Sequence, residues 1–137
     1  MLNKFLSELF TGKLSKALSI LESITPEPQA PPEILTMLRL AIFKPGQNFI
    51  SYQRIFNIWS KWGRPALKLN PTKRKVFFLS DFTTDQFSPM ITLFSAAQGV
   101  EIEIISSGFD SIEQIVLDPS SLMYECAPDI VTLIFSE

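Results

Sequence analysis

The chain reads as an α/β protein: a three-stranded parallel half-sheet in the order 2-1-3, preceded by an all-helical amino-terminal segment. Three observations predict this. Residues 75–80, 101–106 and 129–136 are apolar runs of strand length. The stretches between them carry helix caps and helical spacing, so the strands are parallel and joined by right-handed crossovers. Before residue 71 the apolar residues recur at three and four residue intervals instead. The expected organisation is therefore a helical segment over residues 1–70 and an incomplete βαβαβ domain over residues 71–137.

In chain order, Leu2, Phe5, Leu6, Leu9, Phe10, Leu14, Ala17, Leu18 and Leu21 form one apolar stripe, with Thr11-Gly12 placed to divide it into two helices. Residues 25–32 hold four of the ten prolines and read as a stiff linker. A third helix starts at Pro32 or Glu33, because proline suits the first helical position, and Lys44-Pro45-Gly46 stops it. Asn48 caps a fourth helix, which carries Phe49, Tyr52, Phe56 and Trp59 on one face with Ile55, Ile58 and Trp62 beside them. Gly63 suits the position just past its end. Arg54, Lys61 and Arg64 beside these aromatics resemble a base-stacking surface, but the helical phase assigns the rings to a core, and nucleic acid is not the expected partner.

In the α/β part, Ser88 before Pro89 offers an N-cap followed by a proline at the first helical position. Met90, Leu93, Phe94 and Ala97 then face the sheet and Gly99 ends the helix. Residues 81–87 remain as a loop at the carboxyl end of the first strand, where open α/β sheets bind ligands. Asp110 or Ser111 caps a helix with Ile112, Ile115 and Val116, and Ser120 or Ser121 caps a short turn through Tyr124. The third strand is almost wholly apolar, as a strand covered on both faces would be. In a flavodoxin-like order it lies at the edge of the sheet, so it is expected to pair with further chain or with another protomer.

Composition removes several functions. Hydrophobic content of 46% and a mean hydropathy of +0.21 support a packed core and exclude disorder as the main state. No uncharged apolar run is long enough for a membrane span, and Lys4, Glu8 and Lys13 interrupt the start of the chain, so a cytoplasmic location is expected. The single Cys126 cannot form an internal disulfide. The absence of histidine takes away the usual general base of hydrolases and the commonest metal ligand, so no metal site and no resident cofactor are expected. All 12 basic residues lie at or before Lys75 with only four acids, a net +8; residues 76–137 hold ten acids and no Lys or Arg, a net −10. The basic part either lies beside the acidic part or docks an acidic partner.

The loop of Ser80, Asp81, Thr83 and Thr84 is the main cluster of polar groups at a strand end. Asp81 with Phe82-Thr83-Thr84 resembles the first motif of haloacid-dehalogenase (HAD) enzymes, whose strand-end Asp attacks a phosphoryl group. Such a site needs a cation against the phosphoryl oxygens, and none follows Lys75 in the sequence. Ser80 as the nucleophile of an SGNH-type hydrolase lacks its histidine. Ser80 and Asp81 are therefore the catalytic candidates, and Thr83, Thr84, Phe109, Ser121 and Tyr124 the binding candidates. Glycine patterns for dinucleotides or a P-loop are missing.

Residues 78–85, then Pro89, Gly99-Val100-Glu101, and above all residues 114–124 with Asp118-Pro119-Ser120-Ser121 and Tyr124, followed by Pro128-Asp129-Ile130-Val131, are similar to the FkbH-like proteins of the HAD-IIIC family. The resemblance covers about residues 70–137. It implies the SGNH-like amino-terminal region of a protein that transfers a glyceryl group from a phosphorylated three-carbon acid to an acyl carrier protein in polyketide or glycan biosynthesis. It also implies that catalysis and magnesium belong to a later HAD domain, and that an acidic carrier protein is a partner. The alternatives are a HAD-like phosphoryl-transfer enzyme using Asp81 and a stand-alone interaction module. Asp118, Ser121, Tyr124 and Asp129 also have a plain structural reading, as turn and cap chemistry.

Overall fold

The computed structural model describes residues 1–44, 46–107 and 112–136. The chain divides into two compact units, Met1–Leu69 and Asn70–Glu137. The first contains four helices: α1 (Leu2–Phe10), α2 (Leu14–Glu22), α3 (Pro32–Ile42) and α4 (Phe49–Lys61). The apolar stripe does break at Gly12, whose φ of 78° is costly for a residue with a Cβ. Phe5, Leu9, Leu18, Leu21, Met37, Leu38, Ile42 and Ile55 are fully buried and form the core of this unit. At about 1.5–3 kcal/mol per buried large side chain, this core is the main source of its stability.

Polar side chains close the helix ends. The Asn48 side chain accepts from the Ser51 amide at 3.0 Å, which caps α4 as its sequence suggests. The Gln47 amide donates to the carbonyls of Ala41, Ile42 and Lys44 at the end of α3. The Arg54 guanidinium grips the Glu22 carboxylate in two bonds, at 2.8 and 2.9 Å, and also reaches Ser15. Lys61 donates to the carbonyls of Glu22 and Ile24, closing the end of α2. Arg64 lies 5.0 Å from the centre of the Phe56 ring, and the Trp59 indole donates to the Pro65 carbonyl. These basic and aromatic groups thus hold α2, α4 and the following turn together. The core face of α4 is narrower than its aromatic pattern suggests: Ile55, Ile58, Trp59 and Trp62 are buried, whereas Phe49 is exposed.

The second unit runs β1 (Thr72–Ser80), α5 (Ser88–Ala97), β2 (Val100–Ser106), α6 (Ile112–Leu117), α7 (Leu122–Glu125) and β3 (Ile130–Ile134). Its sheet is parallel throughout, in the order β2-β1-β3, as expected. β1 starts three residues before its expected run, so that Thr72, Lys73 and Arg74 also belong to it. Central β1 carries the core: Phe77 and Leu79 pack on one face with Ile115 and Met123, while Val76 and Phe78 are buried on the other. From α5, Leu93, Ala96 and Ala97 are buried.

Two expectations are corrected here. Ser88 does not cap α5 but is its first residue, and Phe87 takes the cap position. The Thr84 carbonyl accepts from the Phe87 and Ser88 amides and from the Ser88 hydroxyl, so a turn over residues 85–87 feeds straight into the helix. The second correction concerns β3, which is not covered on both faces. Ile130 is 50% exposed, Val131 45% and Leu133 54%, on alternating faces of an edge strand.

Candidate functional site

β1 delivers Ser80 and Asp81 to the carboxyl end of the sheet, and the register of β1 with β3 brings Ser136 beside them. Both Asp81 oxygens are engaged by Ser136, one by its amide at 2.9 Å and the other by its hydroxyl at 2.7 Å. The Ser136 hydroxyl bond, with the amide bond beside it, holds the Asp81 carboxyl below the ordinary aspartate range. Ser80 is buried; its hydroxyl donates to the Phe82 carbonyl at 2.7 Å and accepts from the Phe82 amide at 3.1 Å. That arrangement is a local turn that folds residue 82 back over the strand end.

Of the binding candidates, Thr83 and Thr84 lie in this loop, whereas Ser121 and Tyr124 lie at α7 and are bonded to α6. Thr84 is buried and anchors the start of α5 through its carbonyl, while Thr83 is exposed. The Ser121 hydroxyl donates to the Ile115 carbonyl at 2.7 Å, and the Tyr124 hydroxyl donates to the Val116 carbonyl at 2.6 Å. Both bonds tie α7 back onto α6. Phe109 lies outside the described residues, as do Asp110 and Ser111. Asp118 accepts from the Ser120 hydroxyl and amide, and this turn holds its carboxyl below the ordinary range.

At the opposite end of the sheet, the Asp129 carboxylate accepts from the Lys75 amide at 2.7 Å, while the Asp129 amide donates to the Lys75 carbonyl. Asp129 and Asp81 thus pin β3 to β1 at its two ends. Lys73, Arg74, Lys75, Glu101, Glu103 and Asp129 line a cleft of about 380 Å³ here, three basic side chains against three acidic ones. Such a lining offers no net field to a charged ligand.

A larger, apolar groove of about 540 Å³ runs between α5 and β3. Val76, Phe78, Ile91, Phe94, Ile130 and Ile134 line it. Because Ile130, Thr132 and Ile134 belong to the edge strand, the groove and that edge share β3 as an apolar flank. The sequence predicts the open edge of the third strand but not the groove beside it. The signal that marks the flank is the run from Ile130 to Phe135, apolar at every position but Thr132.

Among the described residues no group of three or more Cys, Asp or Glu side chains could hold a metal ion. No helix among the described residues is long and apolar enough to cross a membrane. Compared with known protein families, characterised proteins and solved structures, the chain gives no significant match.

Proposed function

We propose that the chain works as a non-catalytic interaction module whose half-sheet joins other protein through the β3 flank. The observation that carries this reading is the combination at β3 of a backbone edge with no strand partner among the described residues and exposed apolar side chains on both faces. Natural edge strands are normally shielded by charge, proline or a bulge, and residues 130–136 contain neither a charged residue nor a proline. The engagement of Asp81 and Ser80 in strand-end hydrogen bonds supports the same conclusion, since it gives both residues a structural task.

The resemblance of residues 70–137 to the FkbH-like proteins supplies a context. In that setting the module is the amino-terminal part of a system for glyceryl transfer to an acyl carrier protein. Magnesium and the chemistry belong to the HAD domain of the family. The basic helical segment is then the side that meets an acidic carrier.

A direct assay separates this reading from phosphoryl transfer at Asp81. The purified chain is incubated with magnesium and phosphorylated three-carbon acids, and phosphate release is followed. We expect no turnover above the protein-free control. Turnover that Asp81→Asn abolishes and Asp85→Asn spares would replace the module by an enzyme.

A further inference from the structure

We infer that one end of the helical unit docks on an anionic lipid surface; this goes beyond the module reading and does not depend on β3. Helix directions assemble that end. Arg54 donates to the Ser15 carbonyl and Lys61 to the Glu22 carbonyl, so seven residues along α4 match seven along α2, and the two helices run side by side in the same direction. The start of α4 therefore lies beside the short turn from α1 to α2. Gln47 donates to the carbonyls of Ala41, Ile42 and Lys44, which folds the residue before the α4 cap back over the end of α3. The ends of α1 and α3 and the starts of α2 and α4 thus share one end of the unit.

Exposed apolar side chains collect there. Among the described residues of Met1–Leu69, seven large apolar side chains are exposed, and two of them, Met1 and Leu69, are the terminal residues of the unit. The other five, Phe10, Leu40, Phe43, Phe49 and Ile50, all belong to this end. Phe10 is 70% exposed and Ile50 68%. They stand at the tips of two helical hairpins, in the last turn of one helix or the first turn of the next. Separate projecting side chains of this kind suit a fluid apolar layer, which closes around each of them.

Charge selects the kind of layer. Lys13, Lys16, Arg39 and Lys44 lie at the same end, against the single half-buried acid Glu8. The other three acids of the unit are at the opposite end: Glu22 closes α2, Glu27 lies in the linker and Glu33 opens α3. Apolar side chains flanked by ammonium and guanidinium groups match the boundary of a bilayer with anionic headgroups, the rings entering the acyl region while the cations stay with the headgroups. Each basic residue held near such a surface raises affinity about fivefold. An acidic protein face would take up the charge but leave Phe10 and Ile50 uncovered. Docking on the surface is the mode that fits, since no helix among the described residues is long and apolar enough to cross a membrane.

The test is co-sedimentation of the full chain with vesicles of phosphatidylcholine alone or with about one third phosphatidylglycerol. We expect binding to the anionic vesicles and not to the neutral ones. It should weaken at least tenfold between about 50 and 500 mM salt, as the Debye length falls from about 14 to about 4 Å. Phe10→Ser combined with Ile50→Ser should also weaken it at least tenfold. Leu69→Ser, which removes a side chain that is 95% exposed outside this end, should leave it unchanged, with circular dichroism intact in both variants. The fluorescence of Ile50→Trp should be quenched by lipids brominated on their acyl chains, a signal that attachment by headgroup charge alone does not give. Failure of the full chain to bind anionic vesicles at low salt overturns the inference, as does undiminished binding of the folded double serine variant. Binding to soluble polyglutamate without binding to vesicles assigns this end to an acidic protein and overturns it too.

Discussion

At the scale of single residues, Asp81 shows how chemistry-bearing types become structural. Its sequence context, a carboxylate at the end of an apolar strand followed by two threonines, is what a phosphoryl-transfer nucleophile looks like. Its fate is decided by Ser136, 55 positions away, and no local pattern reveals that contact. Because Ser136 holds the carboxylate in its charged form, Ser136→Ala is expected to raise the Asp81 pKa toward the ordinary aspartate value. Carboxyl-carbon NMR titration reads this directly, and an unchanged midpoint would remove the strand-end clasp from the argument. Ser121 and Tyr124 tell the same story at shorter range. Their spacing is visible in the sequence, but the carbonyls of Ile115 and Val116 that they seek become neighbours only once α6 and α7 fold back on each other. The turn chemistry of Asp118 and the cap at Asn48 were legible because each partner lies two or three residues away.

At the scale of elements, period and punctuation were enough for every helix and strand start to within a few residues. The misses occur where tertiary contacts override local preference. α5 begins at Ser88 because the Thr84 carbonyl collects three donors there. β1 extends back to Thr72 because β2 pairs with it, whatever the charge of Lys73, Arg74 and Lys75. β3 reads as a strand covered on both faces because hydrophobicity alone does not distinguish a covered strand from an exposed edge strand. Entry into β3 is itself costly. Ala127, between α7 and Pro128, has a φ of 46°, a region in which a Cβ crowds the backbone. The proline that follows disfavours the right-handed helical alternative. Ala127→Gly should therefore stabilise the protein by about 0.5–1 kcal/mol, the relief of left-handed strain less the added freedom of the unfolded chain. Urea denaturation measures it, and a loss of stability would mean that the Ala127 methyl group does more than crowd the backbone.

At the scale of the whole molecule, the absence of histidine shapes the dependence of stability on pH. The carboxylates with resolved shifts, Glu22, Asp81 and Asp118, all sit below their ordinary values, each through a hydrogen bond to its charged form. A group whose pKa is lowered by folding contributes stability that is fully present above its unfolded value and is lost as pH falls through its folded value. The chain has no imidazole to titrate, and these three lowered carboxylates lose their contribution only below about pH 5. The thermal midpoint should therefore be flat between about pH 5 and 8 and fall once the pH drops below about 4. Part of the fall belongs to Glu22, whose pairing with Arg54 is partly solvent-exposed and so contributes less than about 1 kcal/mol. Glu22→Gln should lower the midpoint at pH 7 by a degree or two, on the order of what such a pair supplies, and make the acid limb shallower. A midpoint that changes between pH 8 and 5, or rises on acidification, would show that an uncompensated buried charge governs the stability of the chain instead.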